Sequence, residues 1–433
     1  MTAEIAIDAL GTPRPTASEL SSVTRRRILL YFAGLIVLLG FPGSLINLPI
    51  SFFLKNKLHL AAHELALFGL IANIPVYCAV AFGFTRDVWS PFGRGDRGFV
   101  MLFGALGAIT CLSFAFASPT YQTLLAAALL IAVSLLFIRS ALRGLIATVG
   151  QQNAMTGQVS AAMSAFEVLP GIAGILAGGA LSQLMEGQRA EQGARLLFSV
   201  GAALMVTIAL YGVLKPASVF EHVHRERIAG SHPLDDLKRL FKHRAIYPAL
   251  LIWLLWQFVP GIETPLQYFL QNTLKFSDAQ YGLWFALYIA GAMPTYILFG
   301  LLCRRFPLRQ LLFWGTLGAL PMMVPLVFIH HTLSALIAAP LMGMTGGVAG
   351  AAYFDLIIRS CPRGLQGSVL MAASGLLAID GQFGNILGTS LYDYFHDFTV
   401  CVIAMTVTNA LILPALLLVP RDLVARADGA APA

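Results

Sequence analysis

The chain has 433 residues, of which 58% are hydrophobic and only 11% are charged. Soluble domains carry about 25% charged residues, so this composition excludes an ordinary soluble protein. The formal net charge of +7 is compatible with nucleic-acid binding, but the distribution of the basic residues along the chain points to membrane topology instead.

Apolar segments long enough to cross a bilayer recur along the whole chain. A spanning helix needs about 20 residues, and backbone polar groups within lipid must be hydrogen-bonded inside the segment. We therefore predict an all-α membrane protein with twelve transmembrane helices. The predicted spans are 28–54, 66–84, 98–117, 122–147, 158–184, 195–214, 246–271, 280–302, 309–329, 333–358, 367–391 and 398–419.

The Lys and Arg residues concentrate in alternate loops. If the N-terminus is cytoplasmic, 23 of the 28 basic residues lie on the cytoplasmic side. The five on the other side are Lys55, Lys57, Arg189, Arg195 and Lys275. The positive-inside rule therefore predicts that both termini are cytoplasmic. Residues 1–24 are polar and lack the apolar core of a cleavable signal peptide, so we expect a multi-pass protein of the plasma (inner) membrane.

The spans divide into two groups of six, separated by a polar linker. The predicted parts are a cytoplasmic N-terminal tail at 1–27, a first half at 28–214, the linker at 215–245, a second half at 246–419 and a cytoplasmic C-terminal tail at 420–433. Within the linker, Pro233 is predicted to open a short amphipathic helix with acidic residues first and basic residues last. Such a helix either lies on the anionic leaflet or simply connects the halves in water.

The two halves repeat each other. With an offset of 210, Gly171, Gly174 and Gly178 recur as Gly381, Gly384 and Gly388. With an offset of 216, Pro49, Leu54, Asn56 and Leu58 recur as Pro265, Leu270, Asn272 and Leu274. A duplicated apolar half of about 210 residues is typical of transporters built from parallel repeats.

Few charged residues fall inside the predicted spans, and these are the best candidates for a site because burying them is costly. Glu167, Glu263 and Asp380 are candidates for substrate contact or proton coupling, and a neutral structural role is the alternative. Arg139 and Arg143 stand one turn apart on the fourth helix, where they either face an anionic substrate or extend to the cytoplasm.

Several polar or aromatic side chains of the first and seventh helices are candidates for lining a substrate site. They are Asn47, Gln257, Gln267, Trp256 and Asn272. Amides can orient a polar ligand and an indole ring can stack on a flat heterocycle, but packing against neighbouring helices explains an aromatic residue equally well.

The loop after the second helix contains two patterns. Residues 93–98 spell G-x-G-x-x-G, but no βαβ unit surrounds them, so we reject a dinucleotide site. The wider loop, residues 83–98, resembles the corresponding loop of the major facilitator superfamily. Gly83, Asp87, Arg94 and Arg97 match its pattern, with a longer spacing after Asp87. This resemblance implies a cytoplasmic gate in which Asp87 accepts hydrogen bonds from basic groups or a helix N-terminus of the opposite half.

The second half has no acid in the corresponding loop, which begins at Gly300 and carries Arg304, Arg305 and Arg309. The sequence therefore predicts an asymmetric gate. Asp355 and Arg359, four residues apart near the cytoplasmic end of the tenth helix, are predicted to form an ion pair at this gate.

Within that superfamily the chain is most similar to the folate–biopterin transporter family. The resemblance rests on residues 52–77 with their echo at 268–282, on residues 75–87, and on residues 355–375. It implies a secondary transporter of folate or pterin-like compounds that works by alternating access. Two features depart from the family, since Ile74 replaces a Lys and Arg139 and Arg143 occupy a helix that usually carries acids.

We therefore predict a proton-coupled transporter of a small polar organic molecule, monomeric, embedded in lipid, and neither an enzyme nor a nucleic-acid-binding protein. The alternatives are a proton-coupled drug or metabolite exporter and a non-transporting receptor or scaffold on the same fold. No cofactor or metal is predicted, because the cysteines lack ligand spacing and three loop histidines are weak evidence for a metal site. The three histidines are His222, His224 and His232. No phosphate-binding loop occurs, so we do not expect ATP to drive the protein directly.

Overall fold

The computed structural model describes residues 22–60, 62–186, 189–220, 233–262 and 264–429, and within these ranges the chain is helical with no β-strand. Glu263 and the three loop histidines lie outside the described residues. The helices before the linker are α1 (Ser22–Asn56), α2 (Ala62–Ala72), α3 (Ile74–Tyr77), α4 (Ala79–Val88), α5 (Asp96–Ala115), α6 (Tyr121–Gln152), α7 (Thr156–Glu186), α8 (Ala190–Tyr211) and α9 (Ala217–Phe220).

The linker and the second half contain the remaining helices. They are α10 (Pro233–Lys242), α11 (Ile246–Gln257), α12 (Thr264–Tyr268), α13 (Asp278–Leu302), α14 (Leu308–Ala319), α15 (Thr332–Ser360), α16 (Gln366–Phe395), α17 (Phe398–Ala410), α18 (Ile412–Ala415) and α19 (Arg421–Val424). A π-helix at Phe269–Thr273 follows α12, and short 3-10 turns follow α4, α14 and α18. In the linker, Arg239 of α10 donates a hydrogen bond of 2.6 Å to the Arg363 carbonyl, so α10 lies against the loop after α15.

Ten helical segments of the described chain are long and apolar enough to cross a membrane. The other two predicted spans are divided into shorter helices. Span 66–84 is divided at Asn73 and at Cys78, and Pro75 in the first turn of α3 has no backbone N–H to donate to the turn before it. Span 246–271 is interrupted after Gln257, where Pro260 removes a backbone donor and Gly261 adopts a positive φ of 135°.

The two halves meet through two equivalent pairs of helices. In one pair α4 packs on α16, and in the other α13 packs on α7. The first contact is close because both partners are glycines: a Cβ added to Gly83 would lie 2.3 Å from the carbonyl oxygen of Gly367. In the second, a Cβ on Gly300 would lie 3.0 Å from that of Ala161, an approach that only small residues permit.

The halves touch at one end of the bundle and separate towards the other. Gly157 and Gly367, at the starts of α7 and α16, both lie against the opposite half. Fourteen residues later on nearly the same helix faces, a Cβ added to Gly171 or Gly381 would meet no atom of the described residues within 4 Å. We call the closed end, where the C-terminal tail also lies, the cytoplasmic end, following the distribution of basic residues.

Candidate functional site

A charged cluster lies between the halves, about midway along the bundle. Arg143 of α6 donates a hydrogen bond to the Ser374 hydroxyl of α16, which belongs to the opposite half. The same guanidinium lies 3.8 Å from the Glu167 carboxylate of α7, measured from Nη2 to Oε1. Arg143 is therefore held between α6, α7 and α16 instead of facing lipid.

Two further helices complete this cluster. Arg139 lies next to α1, since a Cβ on Gly43 would be 3.6 Å from its Nη2 atom. Glu167 also lies near Arg139 and near Tyr296 of α13. The Glu167 side chain is half exposed, so the cluster opens to solvent-accessible space. Two guanidinium groups and one carboxylate give this space a positive charge, which suits an anionic ligand.

Asp380 of α16 lies apart from that cluster, beside the interruption of the seventh span. It is buried, and its Oδ2 atom has no hydrogen-bond partner in the part of the chain that the structure describes. Trp253 of α11 donates a hydrogen bond to the Ala373 carbonyl of α16 at 3.3 Å. Further along the same face of α16, Gly384 lies against Val259. Asp380 lies between these two contacts on the same face of α16, level with the end of α11. Burying an unpartnered carboxylate costs free energy that protonation relieves.

The five polar or aromatic candidates for substrate contact occupy different environments. Asn47, Gln267 and Asn272 are exposed, and Gln257 is half-buried at the end of α11. The Trp256 ring packs at a tilt against Tyr353, with 5.3 Å between ring centroids, and lies over Gly346 and Gly350 of α15. It therefore contributes to packing of the second half.

At the cytoplasmic end, Asp87 of α4 bridges the halves. Its fully buried carboxylate accepts hydrogen bonds from the backbone amides of Gly367 (3.1 Å) and Ser368 (2.7 Å), and from the Ser368 hydroxyl (2.7 Å). These groups form the first turn of α16, which Leu365 precedes without a capping side chain. Asp87 thus supplies the negative charge that the N-terminus of α16 favours. We call this arrangement the first latch.

The guanidinium that supports Asp87 comes from Arg86, not from the loop arginines considered above. Arg86 contacts Asp87 at 2.8 Å and binds both oxygens of Asp96 at 2.6 and 2.7 Å. Arg97 instead donates to the carbonyls of Gly212, Val213 and Leu214 at the end of α8, within its own half.

The remaining gate residues differ in what they contact. Arg94 is exposed in the loop, where it makes a long contact of 3.8 Å to the Met101 sulfur. Asp355 and Arg359 form an ion pair at 3.0 Å, and Arg359 also donates to Thr156 of α7 at 3.1 Å. The Asp355–Arg359 pair therefore reaches the other half through its arginine.

Sequence reasoning missed several residues that join the halves. Gln151 of α6 donates to the carbonyls of Ile358 (2.7 Å) and Cys361 (2.9 Å), and Ser160 of α7 donates to the Ala351 carbonyl at 2.7 Å. Neutral amides and hydroxyls inside apolar helices give no signal of their partner. Arg86 and Asp96 did carry a signal in the sequence, because a buried charge such as that of Asp87 needs a counter-charge nearby.

Comparisons with known proteins agree with this architecture. The sequence profile described as Major Facilitator Superfamily matches residues 30–389. The chain belongs to that superfamily. A relative named folate-biopterin transporter, from Synechocystis sp., is 24% identical over 406 residues, covering 86% of this chain and 78% of the relative.

Solved major facilitator structures share the fold at low sequence identity. A transporter named FucP in the outward conformation is 14% identical with a TM-score of 0.66, covering 92% of this chain and 99% of that one. The proton:xylose symporter XylE, bound to 6-bromo-6-deoxy-D-glucose, is 15% identical with a TM-score of 0.64, covering 92% and 95%.

The superfamily match confirms that this is a multi-pass integral membrane protein, a transporter of small molecules and not an enzyme. It also confirms the resemblance drawn from the sequence. A plasma-membrane location agrees with the bacterial relative.

Proposed function

We propose that this major facilitator protein transports a small anionic organic solute across the membrane by alternating access, coupled to protons. Folate or pterin-like compounds are the first candidates for this solute. The observation that carries the proposal is the placement of Arg139 and Arg143 beside half-exposed Glu167 at the meeting of both halves. The folate-biopterin transporter relative supports the choice of ligand, since folates carry carboxylates.

The substrate proposal depends on the positive charge of the cluster. Arg143 is tied to Ser374 across the halves, so a bound carboxylate that replaces this partner would change how the halves are held together. A planar guanidinium binds a carboxylate through two parallel hydrogen bonds, and an ammonium group cannot reproduce that geometry. Such a ligand would therefore be coupled directly to the movement that alternating access requires.

The proton proposal rests on two acids in contrasting surroundings. Glu167 is half exposed and faces arginines, whereas Asp380 is buried with one oxygen unpartnered among the described residues. A carboxyl group that alternates between such surroundings changes its preference for a proton, which is the basis of coupling. Glu263 remains a third candidate on sequence grounds.

Uptake of labelled folate or pterin into proteoliposomes, with and without an inward pH gradient, tests the substrate. Arg143→Gln should lower uptake about tenfold or more, the effect of losing one charge-assisted hydrogen bond, and Arg143→Lys should restore only part of it. The exposed Arg94→Gln is the matched control and should transport normally. Absence of flux for every pterin under either gradient would remove this substrate class, and efflux against a gradient would favour the exporter.

The coupling residue needs a separate measurement. Asp380→Asn should abolish accumulation driven by a pH gradient while leaving exchange of internal for external substrate intact, because exchange requires no net proton movement. The same pair of assays on Glu167→Gln and Glu263→Gln decides among the three acids. An Asp380→Asn protein that still accumulates substrate with the gradient would exclude Asp380 from proton carriage.

A further inference from the structure

The C-terminal tail returns to the cytoplasmic end and touches both halves. After α19, the backbone amide of Asp428 donates to the Cys303 carbonyl at 2.9 Å, immediately beyond α13. The next amide, that of Gly429, donates to the Ala154 carbonyl at 2.8 Å, in the turn before α7. The tail therefore crosses from the second half to the first at this point.

The Asp428 side chain is buried at the start of α7. Its Oδ2 atom accepts from the Gln158 backbone amide at 3.0 Å, and its Oδ1 atom lies 3.4 Å from the Thr156 hydroxyl. Met155 precedes α7, and its side chain has no oxygen to cap the helix. Asp428 thus supplies the negative charge at the N-terminus of α7, as Asp87 does for α16.

An arginine holds Asp428 in place and also holds the tail. Arg359 contacts the Asp428 carboxylate at 3.1 Å and that of Asp355 at 3.0 Å. It further donates to the carbonyls of Leu423 (3.3 Å) and Arg426 (2.8 Å) in the tail. The order acid, arginine, acid is the same as in Asp87, Arg86 and Asp96 at the first latch.

The internal repeat shows that these two places correspond. Gly157 and Gln158 stand 210 residues before Gly367 and Ser368, whose amides bind Asp87. Gly83 corresponds to Gly300, which sets Arg304 opposite Asp87 and leaves the second loop without an acid.

Asp428 fills the place of that missing acid. Its amide is bound to the carbonyl of Cys303, the residue directly before Arg304. We propose that Asp428 replaces the carboxylate that the second repeat lacks and forms a second latch, which keeps the cytoplasmic end closed.

The proposed second latch has a direct consequence for alternating access. Opening the cytoplasmic end must move α7 away from α13 and α15, so Asp428 must leave either the α7 amides or Arg359. Charge-assisted hydrogen bonds of this kind favour the closed end. This inference concerns the conformational equilibrium alone and holds for any substrate or coupling ion.

Cysteine labelling of purified protein reports opening without requiring substrate. Cys361, buried in the loop after α15 beside Gln151, serves as the reporter in a variant whose other four cysteines are replaced. Asp428→Ala should raise the rate of labelling by a charged maleimide about tenfold, the effect of losing one charge-assisted contact. The matched control is Asp422→Ala, an exposed acid in the same tail, which should label at the parent rate.

A second reporter distinguishes a tail that holds the two halves together from a tail that only shields Cys303 from solvent. With Cys303 as the sole cysteine, loss of the tail contact exposes the thiol even if the halves stay together. Faster labelling of both Cys361 and Cys303 supports the second latch, and faster labelling of Cys303 alone overturns it. Size-exclusion chromatography and thermal unfolding identify variants that do not fold. If Asp428→Ala does not fold, Asp428→Glu and a chain ending at residue 427 are labelled in its place. Unchanged Cys361 labelling in every folded variant also overturns the proposal.

Discussion

The N-termini of α7 and α16 have the same need for a negatively charged partner, and different parts of the chain supply it. Both are N-termini of long helices that press against the opposite half, and both receive a buried carboxylate supported by an arginine. For α16 the carboxylate comes from Asp87, at the end of the helix that packs beside it. For α7 it comes from Asp428, more than 100 residues beyond the corresponding loop.

These two helix starts show that a repeat retains an electrostatic requirement more closely than the residue that meets it. Unpaired amides and the helix dipole are properties of the backbone, so they reappear wherever the helix start is duplicated. The acid that binds these amides is the one carried by whichever chain segment reaches the helix N-terminus. The first latch is built from local residues and is fully buried, whereas the second depends on docking of a tail.

The largest difference between the two places should follow from their arginines. Arg86 is 3% exposed and Arg359 is 12% exposed, and each lies between two acids. Removing one partner of a buried ion pair costs about 3–5 kcal/mol, so Arg86→Gln should lower the free energy of unfolding by that amount. Arg359→Gln should cost roughly half as much, because water reaches the Arg359 guanidinium more easily than that of Arg86. Chemical denaturation measures both, and equal losses would contradict the contrast in burial.

A smaller but more specific effect is expected from Asp87→Ala. This change leaves the Arg86–Asp96 pair in place but removes the acceptor for three donors of α16. The closed end should lose about 2–3 kcal/mol, and Cys361 labelling should rise about 30-fold to 160-fold, more than for Asp428→Ala. Asp87→Asn, which keeps one acceptor oxygen, should give a Cys361 labelling rate between those of Asp87→Ala and Asp428→Ala. If Asp428→Ala opened the end further than Asp87→Ala, the order of the latches would be reversed.

Much of this architecture could be predicted from the sequence because it depends on composition and period. Long apolar runs, the repeat and the loop around Asp87 indicated the superfamily, which the profile match confirms. The same reasoning placed Arg143 and Asp380 inside the membrane. It gave no means of pairing Arg143 with Ser374, since the partner is a serine on a distant helix.

The second latch illustrates what sequence reasoning could not supply. Asp428 lies in a polar tail near the end of the chain, where an acid is ordinarily a solvated residue, and nothing in its neighbourhood predicts burial. The seventh span is a further example, because Pro42 and Pro49 remain inside continuous α1 whereas Pro260 lies in the interruption that follows α11. Tertiary packing decides whether a proline is accommodated in a helix or interrupts it.

Removing one hydroxyl group at each latch should have a smaller effect than removing its carboxylate. The Ser368 hydroxyl donates to Asp87 at 2.7 Å, whereas the Thr156 hydroxyl lies 3.4 Å from Asp428. A neutral hydrogen bond contributes about 1 kcal/mol, so Ser368→Ala should raise Cys361 labelling about fivefold. Thr156→Ala should raise it less than twofold, because hydrogen bonds weaken with length. A larger effect for Thr156→Ala would show that its contact with Arg359 matters more than the one with Asp428.

A further effect, comparable in size to that of Ser368→Ala, is a pH dependence of the second latch. Burial and then the nearby Asp355 raise the pKa of Asp428 to about 6 from 3.8, although Arg359 and the Gln158 amide act in the opposite direction. The docked carboxyl group therefore binds a proton more tightly than a released tail would. By linkage, the docked tail is favoured as the pH falls through 6, and this advantage is lost as the pH rises.

Between pH 7.5 and pH 5.5, these two pKa values predict about fourfold slower opening at the acidic end. Because thiol reactivity itself changes with pH, Cys361 labelling is divided by that of the Asp428→Ala variant at the same pH. A ratio that stays constant, or that rises towards acid, would mean that the Asp428 carboxyl group is not buried in the closed state and that the tail does not dock there.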